Sequence, residues 1–148
     1  MKKYLNDLSD FDLLVMPCNC MMEPISYRDR KLIKKIQGTE YYSYVIDSYK
    51  IYKGGEMKDG DIRIVPGFSL NADIMFVKFP FRTDDKSINL FMKTITNMFE
   101  IKRQNGYEKT LISKYDPFNY GYTFRESMKI LLHRIKENKK DIECLTKK

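Results

Sequence analysis

The chain has 148 residues, 43% of them hydrophobic and 14% aromatic, with a formal net charge of +7. That length and composition suit one folded domain that buries a core without staples, and they exclude a disordered chain. No apolar run reaches the ~18 residues of a membrane span. The first ten residues carry Asp7 and Asp10 and lack an apolar signal core. Three cysteines (Cys18, Cys20 and Cys144) are an odd set that suits a reducing compartment, so a cytoplasmic location is expected.

In chain order, Asp12 to Cys18 reads as a buried strand. Ser26 to Gln37 reads as a helix capped by Ser26, with Asp29 three residues on as a weak capping-box partner. Glu40 to Tyr52 spaces its aromatic and aliphatic residues as a helix does. Turns at Gly54-Gly55 and Asp59-Gly60 follow, then strands over Asp61–Val65 and Ile74–Phe79. Ser87 to Arg103 is an amphipathic helix with Ile88, Phe91, Ile95, Met98 and Phe99 on one face. Thr110 to Ser113 is a further strand, and a loop runs to Tyr122. The last helix opens on the capping box Thr123-x-x-Glu126. Phe124, Met128, Leu131, Leu132 and Ile135 form its apolar repeat, and it is expected to end near Glu137. Residues 1–137 are thus read as one domain and 138–148 as a polar tail.

This alternation implies an α/β fold, with a mixed central sheet and helices on both faces. Asp12–Cys18 and Thr110–Ser113 are expected inside the sheet. Ligands of such sheets sit beyond the carboxyl ends of strands, which directs attention to the loops after Cys18 and Ser113.

Those loops carry a family resemblance. Asn6-Asp7-Leu8 precedes Asp12-Leu-Leu-Val-Met-Pro-Cys-Asn19. Gly60-Asp-Ile-Arg-Ile-Val-Pro-Gly67-Phe-Ser-Leu70 leads into Ile74-Met-Phe-Val-Lys-Phe-Pro80. Leu111-Ile112-Ser113 is followed by Asp116-Pro-Phe-Asn-Tyr-Gly121-Tyr122 and a capped helix. In order and spacing these segments resemble a divergent macro domain over about residues 4 to 136, and the resemblance implies a three-layer fold that holds ADP-ribose. The Phe-Pro-Phe-Arg ending at Arg82 resembles the branch that reverses ADP-ribosylation of nucleic acid.

Carried over residue by residue, the resemblance puts Asp7 and the Leu8 amide at the adenine and Asn19 near the distal ribose. It makes Asp116, Phe118, Asn119 and Gly121 part of a backbone cradle for the diphosphate, with the Tyr120 ring over the distal ribose. At least one of Tyr115, Phe118, Tyr120 and Tyr122 is expected to stack on base or ribose. The departures are equally specific. Met16 replaces the first Asn of the strand motif, and Cys20-Met-Met-Glu-Pro-Ile-Ser26 replaces the glycine-rich first loop. Asp116-Pro117-Phe118 replaces Ser-Thr-Gly, which removes a donor at Pro117.

The implied ligand is ADP-ribose or a related adenine nucleotide, bound or sequestered with little or no turnover; no cofactor, metal or membrane is expected, and the oligomeric state is open. The first alternative is an ADP-ribosyl hydrolase acting on protein or nucleic acid, with Asn19, Asp116 and Asp29 as its candidate catalytic residues. For Asp29 the capping role is preferred. A nucleic-acid-binding domain is the second alternative, on net charge and tyrosine content. Cys18 and Cys20 fall short of the four ligands of a structural zinc site, and His133 lacks a second histidine with which to build a relay.

Overall fold

A computed structural model describes residues 11–37, 47, 55–66 and 72–146. Apart from Asp47, the helix read over Glu40–Tyr52 lies outside the described residues, as do Asp7, Leu8 and Gly67. The described residues form two compact units, one containing residues 62–78, 109–113 and the chain up to Lys58, the other residues 59–61, 79–108 and 114–148.

The first unit is built on a mixed sheet. Its strands are β1 (Leu13–Pro17), β2 (Ile62–Val65), β3 (Asp73–Val77) and β4 (Thr110–Ile112), in the order β2-β3-β1-β4. β1 pairs in parallel with β3 and with β4, and β2 pairs antiparallel with β3. Every side chain of β1 is buried, as the unbroken apolar run demands. Alternation along the strands sends Leu14, Met16, Ile74 and Phe76 to one core, completed by Leu32 and Ile33 of helix α1 (Tyr27–Gln37) and by Met22 and Met57.

The expectation that Thr110–Ser113 lies inside the sheet fails. Among the described strands β4 is an edge, three residues long, and its side chains are only half-buried. Short edge strands limit the unpaired backbone a sheet presents.

The second unit pairs helix α2 (Ser87–Gln104) with helix α3 (Phe124–Thr146), and a 3-10 turn (Pro117–Tyr120) packs at the start of α3. The apolar face read for α2 is the buried one: Ile88, Phe91, Ile95, Met98 and Phe99 are all inside. Phe79 and Phe91 stack at 4.6 Å between ring centroids, with Tyr115, Tyr120 and Tyr122 around them. Gly60 adopts φ +90°, and a Cβ there would come 3.2 Å from Leu90 Cδ1.

Helix α3 departs from the sequence reading twice. It continues past Glu137 to Thr146, where a loose tail is expected. Its apolar repeat also faces out: Phe124, Met128, Leu132 and Ile135 are exposed, while Ser127, Ile130, Glu137 and Asp141 are buried. The rotation has an electrostatic cause. Lys102 of α2 pairs with Asp141, Arg103 lies 3.7 Å from it, and Thr96 Oγ1 meets His133 Nε2 at 2.8 Å and Glu137 Oε1 at 3.5 Å. Those partners hold the polar face of α3 inward and extend the helix.

Candidate functional site

In the first unit, β1 delivers the chain into the loop 18–26 at its carboxyl end. Asn19 organises that loop. Its Oδ1 accepts from the Met21 and Glu23 amides at 2.9 and 3.0 Å, and its Nδ2 donates to Glu23 Oε1 at 3.3 Å. The Asn19 N–H donates to the Glu23 carbonyl, that of Met22 to the Asn19 carbonyl, and that of Ile25 to the Pro17 carbonyl. The loop thus satisfies much of its own backbone. In this arrangement the Asn19 carboxamide is a turn-builder, as Asx side chains often are.

Met22 adopts φ +60°, the only non-glycine residue with positive φ among the described residues, and its side chain is fully buried. Arg63, itself buried, donates from Nη1 to the Gly55 carbonyl at 2.7 Å and sits 3.6 Å from Met22 Sδ. Met21 and Ile25 remain partly exposed on the loop's outer side. Within the segment that replaces the glycine-rich loop, Met22 therefore serves the core.

Asp29 is the group whose importance the sequence understates. Ser26 does cap α1, accepting from the Asp29 N–H at 3.4 Å. The Asp29 carboxylate, however, does not return the bond. It turns into the unit, 2% exposed, and accepts from Ser113 Oγ at 2.9 Å at the end of β4. Its Oδ2 is buried with no hydrogen-bond partner. Burial pushes the carboxyl above its ordinary value of 3.8, opposed by the Ser113 bond and by Arg28. No motif signals this pairing, because Ser113 lies 84 residues away.

Cys18 follows β1 directly. Its thiol is buried 3.5 Å from Met57 Sδ, and desolvation pushes its pKa up to about 12. Among the described residues no three His, Cys, Asp or Glu side chains gather in a way that could hold a metal.

In the second unit, the loop after Ser113 closes on itself. Asp116 is extended, as Pro117 requires, and its Oδ1 accepts from the Phe118 N–H at 3.0 Å, capping the 3-10 turn. The Asn119 N–H donates to the Asp116 carbonyl, Gly121 to Phe118 and Tyr122 to Pro117. Donors expected to cradle a diphosphate are thus bonded within the turn. Gly121 is left-handed at φ +90°. Arg82 holds the turn from outside: its N–H donates to the Tyr120 carbonyl, its Nε to Glu126 Oε1 at 2.9 Å and its Nη2 to Asp85 Oδ1 at 2.7 Å.

Tyr120, which the resemblance puts over the distal ribose, is buried against Phe79, Phe81 and Phe91, at centroid distances of 6.2, 4.9 and 5.6 Å. Tyr115 and Tyr122 are also buried, and Tyr122 donates its hydroxyl proton to the Pro80 carbonyl at 2.9 Å. Of the four loop aromatics only Phe118 presents its ring to solvent, 51% exposed beside Phe124. Asn119 is exposed next to it.

Solved structures share this fold. The Oceanobacillus iheyensis macrodomain with ADP superposes with a TM-score of 0.67 at 20% identity, over 87% of this chain and 70% of that one. The macro domain of ganglioside induced differentiation associated protein 2 gives 0.61 at 13% identity, covering 84% and 61%. The Trypanosoma brucei macrodomain in complex with ADP-ribose gives 0.60 at 16%, covering 90% of this chain and 52% of that chain. No protein-family model and no curated protein matches the sequence. The chain therefore has the macrodomain α/β fold. No helix among the described residues is long and apolar enough to cross a membrane.

Proposed function

We propose that this chain binds ADP-ribose or a related adenine nucleotide, without efficient turnover. The observation that carries the reading is the likeness of fold to macrodomains solved with ADP and with ADP-ribose. In this reading Asp7 and Leu8 meet the adenine and Asn19 borders the distal ribose.

The absence of turnover rests on how the candidate catalytic groups are occupied. A general base must reach the proton it takes within about 3 Å. Asn19 spends its carboxamide on its own loop, and Asp116 caps the Phe118 turn. Asp29 is the exception: a buried carboxyl of raised pKa with one unpartnered oxygen is what a hydrolase with a rebuilt site would use.

Two measurements separate the readings. A thermal-shift panel of ADP-ribose, its cyclic isomers, NAD and cyclic dinucleotides identifies any ligand that binds the native state. Release is then assayed on ADP-ribosylated protein and ADP-ribosylated DNA. The expected result is a saturable shift with an adenine nucleotide, weakened in Asp7→Ala, and no release. Robust release lost in Asp29→Asn or Asn19→Ala makes the chain a hydrolase. No shift with any nucleotide removes the reading altogether.

A further inference from the structure

Helix α3 is apolar on the wrong side for a helix that ends at its own core. Its buried face carries Ser127, Glu137 and Asp141 with Ile130, while Phe124, Met128, Leu132, Ile135 and Ile142 are 43–68% exposed. Scattered exposed apolar residues are ordinary, but a stripe of them along one helix marks a contact surface. Positions 124, 128, 132, 135, 139 and 142 advance by steps of three or four, the spacing of a helix–helix seam. They hold Phe, Met, Leu, Ile, Lys and Ile.

We propose that the exposed stripe of α3 docks an acidic amphipathic helix of a partner protein. The charge around the stripe selects that occupant. Arg125, Lys129 and Lys136 beside the stripe and Lys139 within it are exposed on α3 and make no ion pair with another described residue. Glu143 is the one exposed acidic side chain described on this helix. A second copy would set cation against cation along the seam. A lipid surface accepts basic flanks, but Lys139 interrupts the stripe itself, where hydrocarbon has no partner to offer. A helix with apolar seam residues and flanking carboxylates satisfies both features, since a carboxylate facing Lys139 turns the interruption into register.

The test uses a synthetic probe of about four heptads with leucine at the seam and glutamate on both flanks, whose like charges keep it from pairing with itself. Its counterpart carries lysine at the flanks. Binding of each to the full chain is followed by calorimetry at low and high salt, with hydrogen exchange of α3. The glutamate probe is expected to bind saturably, more weakly at high salt, and to protect α3; the lysine probe is not. Ile135→Glu and Lys139→Glu should each weaken binding by roughly tenfold or more while keeping the wild-type circular dichroism, melting temperature and any nucleotide-induced shift. The proposal is overturned by equal binding of both probes or binding of neither. It is also overturned by binding to phosphatidylserine vesicles without binding to the probe, or by a dimer in sedimentation that Ile135→Glu dissociates.

Discussion

Ser113 Oγ donates to Asp29 Oδ1 at 2.9 Å and so ties the end of β4 to the first turn of α1, leaving Oδ2 buried and unpartnered. The pair joins the two chain segments that follow a parallel strand pair, which is where α/β sheets commonly place their chemistry.

The first prediction concerns pH. The folded-state pKa of Asp29 lies above the ordinary 3.8, so folding favours its protonated form. Its contribution to stability is then fully present below the ordinary carboxylate value and is lost as pH rises through the raised one. Asp29→Asn should keep the Ser113 bond and flatten the pH dependence of the melting temperature across that window. Ser113→Ala should cost about 1–3 kcal/mol at neutral pH, the penalty of a buried acceptor losing its donor. Thermal unfolding from pH 3 to 8 reads both; an unchanged profile in Asp29→Asn would refute the assignment.

Met22 combines a left-handed backbone with a fully buried side chain, and the two features pull in opposite directions. Removing the side chain costs about 2–5 kcal/mol of packing, whereas relieving the backbone returns only about 1–2 kcal/mol. Both Met22→Ala and Met22→Gly should therefore destabilise. Yet glycine should be no worse than alanine, reversing the ordinary order in which glycine loses by roughly 0.5–1 kcal/mol. Denaturant unfolding of the pair decides; a clearly weaker glycine variant would contradict the observed conformation.

Thiol chemistry should separate Cys18 from Cys20. The Cys18 thiol, raised to about 12 and enclosed beside Met57, presents almost no thiolate at neutral pH. Cys20 is partly exposed. In a Cys144→Ser background, iodoacetamide at pH 8 should label Cys20 within the native state and Cys18 only after denaturation. Peptide mapping by mass spectrometry reads this directly, and equal labelling of both would mean that Cys18 is not enclosed.

The buried pair of Lys102 and Asp141 should respond asymmetrically. Lys102→Ala leaves a buried carboxylate with Arg103 3.7 Å away and should cost about 3–5 kcal/mol. Replacing both partners with apolar residues, as in Lys102→Met with Asp141→Leu, should recover most of that loss. A double-mutant cycle by urea denaturation checks it. Additive losses would show that the two side chains do not act together.

Much of the scaffold was legible because local signals agreed with the fold. The apolar run at Leu13–Pro17, the amphipathic period of α2 and the Thr123–Glu126 capping box all appear where residue type demands them; Thr123 and Glu126 exchange bonds of 2.9 and 3.2 Å. The misreadings share a different cause. The rotation and length of α3 depend on Lys102 and Thr96, distant in sequence, and periodicity alone cannot tell an apolar face turned inward from one turned outward. Tyr120 and Phe118 illustrate the same limit within one loop. Composition suggests an exposed ring, but only packing against Phe79, Phe81 and Phe91 decides which of the two is spent. Asp29 is legible as a capping residue, and its second role needs Ser113.

The self-bonded loops have a kinetic consequence. An anion approaching the loop of either unit finds its amides already facing internal acceptors: those of Met21, Met22 and Glu23 in one, those of Phe118, Asn119 and Gly121 in the other. Each bond it makes to those donors must replace one the loop already has, so recognition through them waits on a competing, rarely populated loop geometry. Apparent affinity is then scaled down by the fraction of molecules in that geometry. Stopped-flow binding should show an observed rate that levels off as nucleotide concentration rises, set by loop rearrangement. A rate that climbs linearly to the diffusion regime would mean that the ligand uses other donors and leaves both loops as they stand.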